Sequence, residues 1–321
     1  VFSGVGKTRA EMRGALEAGV LCFNVESEDE LAVLSAIAVE SGQTAKISLR
    51  VNPDVDAGTH PYISTGLKGN KFGIAHADAA AAYRRAAALP GLQIAGIDCH
   101  IGSQITAIEP YLDALDRLLD LVESVEALGI AIGHVDLGGG LGITYTDESP
   151  PAAETLIRTL LERIDARGHG HRKILVEPGR SLVGNAGVLV SEVLYMKPGA
   201  EKNFCIVDAA MNDLMRPAMY GAWMTIVPCR RRDIETVRCD VVGPICESGD
   251  WLGRDRELAV QAGDFIAVLS AGAYSMSMAS NYNTRGRAAE VMVAGDEAWL
   301  IRLREQAEDL FRNERLLSAR G

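Results

Sequence analysis

The chain has 321 residues, is 48% hydrophobic and carries a net charge of -11. That length supports a large core and two domains; the acidic balance argues against nucleic-acid binding through phosphates, and no apolar run approaches the roughly 20 residues that span a membrane. The six cysteines are scattered with no Cys-x-x-Cys, so reduced thiols and no metal site are expected.

The first recognisable stretch is GVGKT, Gly4 to Thr8. A phosphate-binding loop needs a glycine five residues before the Gly-Lys pair. That position is Val1, so the stretch reads instead as a strand end, a turn and a helix starting near Thr8. Short apolar runs follow at 1–2, 20–25, 46–51, 94–99, 134–137 and 173–177, with helical patterns between them. Helices fit 8–18, 77–88 and 152–167. Ser27-Glu28-Asp29-Glu30 reads as a capping box, with Leu31, Leu34 and Ile37 behind it at helical spacing. Leu112, Leu115, Leu118, Leu119, Val122 and Val125 form one apolar stripe, closed by Gly129. Repeated strand–helix units predict a parallel sheet, open or closed into a barrel. Six strands fall two units short of an eight-stranded barrel, about 70 residues. Such a barrel predicts that two units precede Val1.

After residue 185 strands succeed one another without long helices, at 188–196, 204–209, 236–243, 264–270 and 290–295. This predicts a β-rich second domain. The final stretch, LIRLREQAEDLFRNERLL, returns to a helical pattern. The domains are expected at 1–184 and 185–321.

Catalytic groups in a barrel sit at the C-terminal ends of its strands. Four such ends carry unusual residues: Arg50-Val51-Asn52; Asp98-Cys99-His100 through Ser103; Gly138-Gly139-Gly140-Leu141-Gly142; and Glu177-Pro178-Gly179-Arg180. The glycines lack dinucleotide-binding spacing, because the third would fall on Ile143. Each feature alone has an ordinary structural explanation. Together, a cation-capable ring, a phosphate cradle and a carboxylate suit a phosphorylated aromatic cofactor. A carboxylate against a pyridine nitrogen keeps it protonated, as pyridoxal phosphate requires.

Eight segments in order resemble the barrel-fold pyridoxal-phosphate decarboxylases of ornithine, diaminopimelate and arginine: VFSGVGKT, VNPDVDAGTHPYISTGLKGNKFGI, CHIGSQI, GGGLG, EPGRS, MRPAMYGA, CESGD and AGAYSMSMASNYN. The resemblance implies a TIM-type (β/α)8 barrel, here without its first two units, and a C-terminal β-rich sandwich or barrel domain. It implies that His100 stacks on the cofactor ring, that Glu177 binds the ring nitrogen and that Arg50 supports the site. Ser103, Gly138, Gly139, Gly140, Gly179 and Arg180 would hold the phosphate, with Tyr274 closing over it and touching substrate. Arg180, Arg216 and Tyr220 would bind the far carboxylate of meso-2,6-diaminopimelate. Cys246 and Glu247 would come from the second subunit of a homodimer with shared active sites, Cys246 returning a proton and Glu247 binding the distal amino group. The implied reaction gives L-lysine and CO2 in a cytoplasmic enzyme that binds neither membrane nor nucleic acid. Decarboxylation of ornithine, arginine or a carboxylated polyamine is the alternative within the family, and a non-catalytic fragment the alternative outside it. The family's cofactor-bearing lysine falls in the part expected before Val1, which makes this chain alone inactive by expectation; Lys7 is the one tempting substitute. The glycine-rich loop 53–73 is expected to act as a lid.

Overall fold

A computed structural model describes residues 1–58, 65–66 and 69–317. The chain divides into two compact units, Val1–Ile143 with Glu148–Ser181, and Thr144–Asp147 with Leu182–Gly321.

The first unit runs α1 (Arg9–Glu17), β1 (Phe23–Val25), α2 (Glu28–Glu40), β2 (Ala45–Asn52), β3 (Ile74–Ala75), α3 (His76–Ala88), β4 (Leu92–Asp98), α4 (Glu109–Glu126), β5 (His134–Asp136), α5 (Ala153–Ala166) and β6 (Lys173–Leu175). The strands pair in parallel in the order β1-β2-β4-β5-β6, and β3 adds to the end of β2. The expected strand at 1–2 is a single bridge, Phe2 to Phe23. The helices bury apolar stripes on the sheet: Leu31, Leu34 and Ile37 of α2, and Leu115, Leu118, Leu119, Val122 and Val125 of α4. This is the strand–helix repeat of a parallel barrel, whose C-terminal strand ends carry the site.

The expected capping box at Ser27 is only half formed. The Ser27 side chain accepts from the Glu30 N–H at 3.2 Å. The Glu30 carboxylate turns away to Lys7 Nζ at 2.8 Å and the Glu26 N–H at 3.2 Å, because a buried ammonium is a stronger partner than a cap amide. The reciprocal box forms one helix earlier, between Thr8 and Glu11. Lys7 also donates to the carbonyls of Gly4 (2.8 Å) and Asn24 (2.6 Å). Its three donors are used and its side chain is 1% exposed. It is a structural tether and no substitute for a cofactor-bearing lysine.

Part of the loop expected to act as a lid, 59–64 and 67–68, lies outside the described residues. Its described ends are tied to the barrel. Arg50 Nη1 donates to Glu26 Oε1 at 2.6 Å, Glu26 Oε2 accepts from the Gly73 N–H at 2.8 Å, and the Arg50 guanidinium lies 4.9 Å from the Phe72 ring centre. Gly73 has φ +68°, and a Cβ there would meet the Arg50 carbonyl at 2.9 Å. Thr65 Oγ1 donates to the His100 carbonyl at 2.7 Å.

The short helix α6 (Arg180–Val183) straddles the boundary, with Arg180 and Ser181 in the first unit; the second unit continues with β7 (Leu189–Lys197), β8 (Asn203–Val207), α7 (Met215–Tyr220), β9 (Ile226–Pro228), β10 (Val237–Val242), β11 (Trp251–Leu258), β12 (Phe265–Val268), β13 (Glu290–Ala294), β14 (Glu297–Arg302) and α8 (Ala307–Phe311). One sheet has the order β11-β10-β8-β7-β12-β9, and β13 and β14 form a separate hairpin. The terminal stretch departs from expectation. Residues 297–302 form a strand, because Gly295 at φ +58° turns the chain back onto β13, and the helix is confined to Ala307–Phe311. β11 carries no readable alternation in the sequence, because register shifts against β10 and Asp255 at φ +53° interrupt it.

The Glu26–Arg50 pair is buried, with side chains 1% and 8% exposed. Removing one partner strands the other charge without water. Glu26→Ala is expected to lower unfolding free energy by about 3–5 kcal/mol, read by urea denaturation.

Candidate active site

In the first unit, the segments leaving β4, β5 and β6 interlock through their backbones. The Glu177 N–H donates to the Gly138 carbonyl at 2.7 Å, and the Cys99 N–H to the Asp136 carbonyl at 3.0 Å. A Cβ on Gly139 would lie 2.1 Å from the Glu177 carbonyl oxygen, and one on Gly140 would lie 2.3 Å from that of Gly102. Gly138 and Gly140 also have φ of +64° and +105°. The glycines are therefore required by close approach and by left-handed backbone.

Three carboxylates line these strand ends. Glu177 Oε1 accepts from Ser3 Oγ at 2.6 Å and from Asn24 Nδ2 at 3.3 Å. The same Asn24 nitrogen reaches Asp136 Oδ2 at 3.3 Å. Asp136 Oδ1 accepts from the Gly138 N–H at 3.0 Å. Burial, and then the Glu177 charge, push Asp136 up to about 6. Asp98 rises well above the usual carboxylate range, chiefly by burial and then through Asp136 and Glu177. Ser3, Asn24 and Asp136 carry no role in the sequence reading. Asp136, the last residue of β5, was available to the same strand-end rule that picked out the glycines after it.

His100 accepts the Gly139 N–H on Nδ1 at 3.1 Å, so its hydrogen is assigned to Nε2. Burial, and then the Arg50 charge, push its pKa down to about 4. The ring, of a type capable of carrying charge, is thus a neutral imidazole near pH 7. Arg180 is buried and its Nη2 donates to Ser103 Oγ at 3.2 Å, so these two expected phosphate-binding residues do meet. Gly179 beside them is exposed. The Gly138 and Gly139 amides are committed to Asp136 and His100, whereas the Gly140 amide donates to no described residue. Arg50 makes its ion pair with Glu26 at the loop end, while its charge still acts on His100 and on Asp98, its register partner across β2 and β4.

In the second unit, α7 carries Arg216 and Tyr220 four residues apart, hence on one helical face. The buried Arg216 guanidinium stacks over Tyr145 at 4.7 Å, a residue of the 144–147 excursion. Cys246 is exposed in a tight loop framed by Asp250, whose carboxylate accepts from the N–H groups of Met211 and Ile245, each at 2.7 Å. Glu247 Oε1 accepts from the Tyr282 hydroxyl. Tyr274 is 40% exposed and holds φ +58°, a costly backbone for an aromatic residue. Asp250 and Tyr282 lie inside the segments CESGD and AGAYSMSMASNYN without a role assigned to them there, and Tyr145 lies in none of the eight segments.

Residues 1–184 match the family described as pyridoxal-dependent decarboxylase, pyridoxal binding domain. The chain belongs to the pyridoxal-dependent decarboxylases. It is 59% identical to a diaminopimelate decarboxylase of Pseudomonas fluorescens over 318 residues, covering 99% of this chain and 76% of that protein. The corresponding enzyme of Vibrio cholerae is 55% identical over 317 residues, 99% of this chain and 76% of that one. Among solved structures, diaminopimelate decarboxylase from Helicobacter pylori complexed with L-lysine superposes with a TM-score of 0.91 at 42% identity, covering 98% of this chain and 78% of that one. The fold is thus the α/β barrel of these enzymes with a β-rich second unit.

The residues present fit pyridoxal phosphate. Asp98, Asp136 and Glu177 form no ion pair with any described lysine or arginine, and Asn24 Oδ1 is buried without a described hydrogen-bond partner. A protonated ring nitrogen is the cation that such a set lacks. Arg180, Ser103 and the Gly140 amide supply donors of the kind a phosphate takes.

The neutral ring has a direct check. The His100 imidazole signal in NMR should stay fixed from about pH 5.5 to 8 and move only toward about pH 4; a midpoint inside the upper range would overturn the assignment.

Proposed function

We propose that this chain catalyses decarboxylation of meso-2,6-diaminopimelate to L-lysine and CO2 with pyridoxal phosphate as cofactor. The observation that carries the reading is the 59% identity to a diaminopimelate decarboxylase across 99% of the chain. The buried Arg216 agrees with it. One amino-carboxylate end of the substrate reacts, and the other must be held. A planar guanidinium suits a carboxylate, and Tyr220 shares its helix face. Ornithine lacks a second carboxylate for that guanidinium to hold.

Bound pyridoxal phosphate supplies the electron sink that accepts the pair released when the carbon–carboxylate bond breaks. The protein orients, shields and moves protons. His100, fixed by the Gly139 N–H, lays a neutral ring against the cofactor face. Glu177, held by Ser3 and Asn24, keeps the ring nitrogen protonated. Arg180, Ser103 and the amide of Gly140 anchor the phosphate, with Gly138, Gly139 and Gly179 shaping its bed and Tyr274 covering it. Arg50 acts at one remove, through the loop it fastens. Arg216 and Tyr220 hold the distal carboxylate together with Arg180, and Glu247 takes the distal ammonium. Cys246 returns a proton to the carbon that lost CO2. Cys246 and Glu247 come from the second subunit of a homodimer, which their exposed loop allows. We assign the enzyme to the cytoplasm, where reduced cysteines and a biosynthetic role agree; no described helix is long and apolar enough to cross a membrane.

Two measurements test this reading. Replacing Arg216 by Met should reduce kcat/KM for meso-diaminopimelate by about 2–5 kcal/mol in transition-state terms, and weaken inhibition by L-lysine, which keeps the distal carboxylate. Cofactor affinity should not change. Loss of cofactor with undiminished preference for lysine would make Arg216 a cofactor ligand and remove the physical support for this substrate.

For the shared site, Cys246→Ala and Glu177→Gln should each be nearly inactive as homodimers. Mixed dimers should regain activity through the one intact site that each heterodimer assembles. Heterodimers that form and stay inactive would place Cys246 in its own subunit's site.

A further inference from the structure

The geometry points to Asp136 as the positioning residue of the cofactor site: it fixes the Asn24 amide, which in turn orients the Glu177 carboxylate, and it holds the glycine turn that fixes His100. The inference rests on the reading that Glu177 faces the cofactor's ring nitrogen. Asp136 itself is fully buried behind the residues given cofactor contacts.

Each Asp136 oxygen has one job. Oδ1 accepts the Gly138 N–H at 3.0 Å, and the next amide, Gly139, donates to His100 Nδ1 at 3.1 Å. Oδ2 faces Asn24 Nδ2 at 3.3 Å. An amide can turn over, exchanging oxygen for nitrogen at no covalent cost. Asn24 is held in one sense because its nitrogen faces three oxygens, those of Ser3 (3.0 Å), Asp136 and Glu177. Its own oxygen is buried with no described donor, so nothing on that side resists a flip. Asp136 is the one of the three acceptors that can neither rotate away, as Ser3 can, nor follow a ligand, as Glu177 would.

This makes Asp136→Asn a specific test. The new side chain keeps its oxygen on the Gly138 N–H and presents an NH2 group to Asn24. Two donors then face each other, and Asn24 must flip. Its oxygen would then oppose Glu177 Oε1, acceptor against acceptor, and drive Glu177 out of place. In a Glu177→Gln background the flipped oxygen meets the NH2 group of the substituted side chain instead, and the conflict disappears.

The experiment is a double-mutant cycle on the cofactor-loaded, full-length enzyme. Asp136→Asn should lower kcat about tenfold with the substrate KM unchanged, and should weaken cofactor binding in an absorbance titration of the cofactor-free protein. Neither change should appear when Glu177→Gln is already present. Equal losses in both backgrounds, or no loss in the native one, overturn the proposal. Failure of the underlying reading looks different: Glu177→Gln alone would leave kcat and the bound cofactor's absorption spectrum as they were. Should Asp136→Asn not fold, Asn24→Ala removes the same bridge and must show the same dependence on Glu177. A loss from Asn24→Ala that persists in the Glu177→Gln background overturns the proposal equally.

Discussion

Three acidic side chains placed together, with no described base to pair them, is the constraint from which the rest of the first unit follows. Carboxylates crowded inside a protein repel one another and lose water, so some keep their protons or a cation must join them. Asp98 and Asp136 show the first response in their raised pKa values. Glu177 is steadied by neutral donors, Ser3 and Asn24. Such a set suits the positive ring nitrogen proposed for it, and complementary charge in a fixed position is what catalysis by orientation needs.

The glycine turn shows how close packing and chemistry share one feature. Its first two amides are spent on Asp136 and His100, and its first and third residues have φ values that other residues rarely adopt. A sequence reader sees a phosphate cradle in such a run. The structure shows its first two amides spent on the neighbouring side chains of Asp136 and His100, and the turn's absent side chains let Glu177 and Gly102 come near. Preorganisation here is a backbone property that the side chains inherit.

The strand–helix alternation of the first unit was legible because parallel strands buried on both faces and amphipathic helices have distinct periods, as in α2 and α4. What failed to show had local causes. β14 is exposed along its whole length and has no burial alternation to read. Glu30 left its cap for an ammonium contributed from another element. Of the proposed site residues, those with conspicuous chemistry stand out in the sequence: His100, Glu177, Arg180, Cys246 and Glu247. Their holders do not, because Ser3, Asn24, Asp250 and Tyr282 are ordinary residue types that matter only through contacts between distant parts of the chain, such as the 153 residues that separate Asn24 from Glu177.

Lys7 joins the first turn, the carbonyl of Asn24 and helix α2 through one ammonium group with no donor to spare. An amine so enclosed is screened from acylating reagents for as long as these three pieces stay together. Its rate of acylation therefore measures how often this corner of the barrel opens, independently of global unfolding. Because the Asn24 amide spans Asp136 and Glu177, that rate also times the loosening of these two carboxylates.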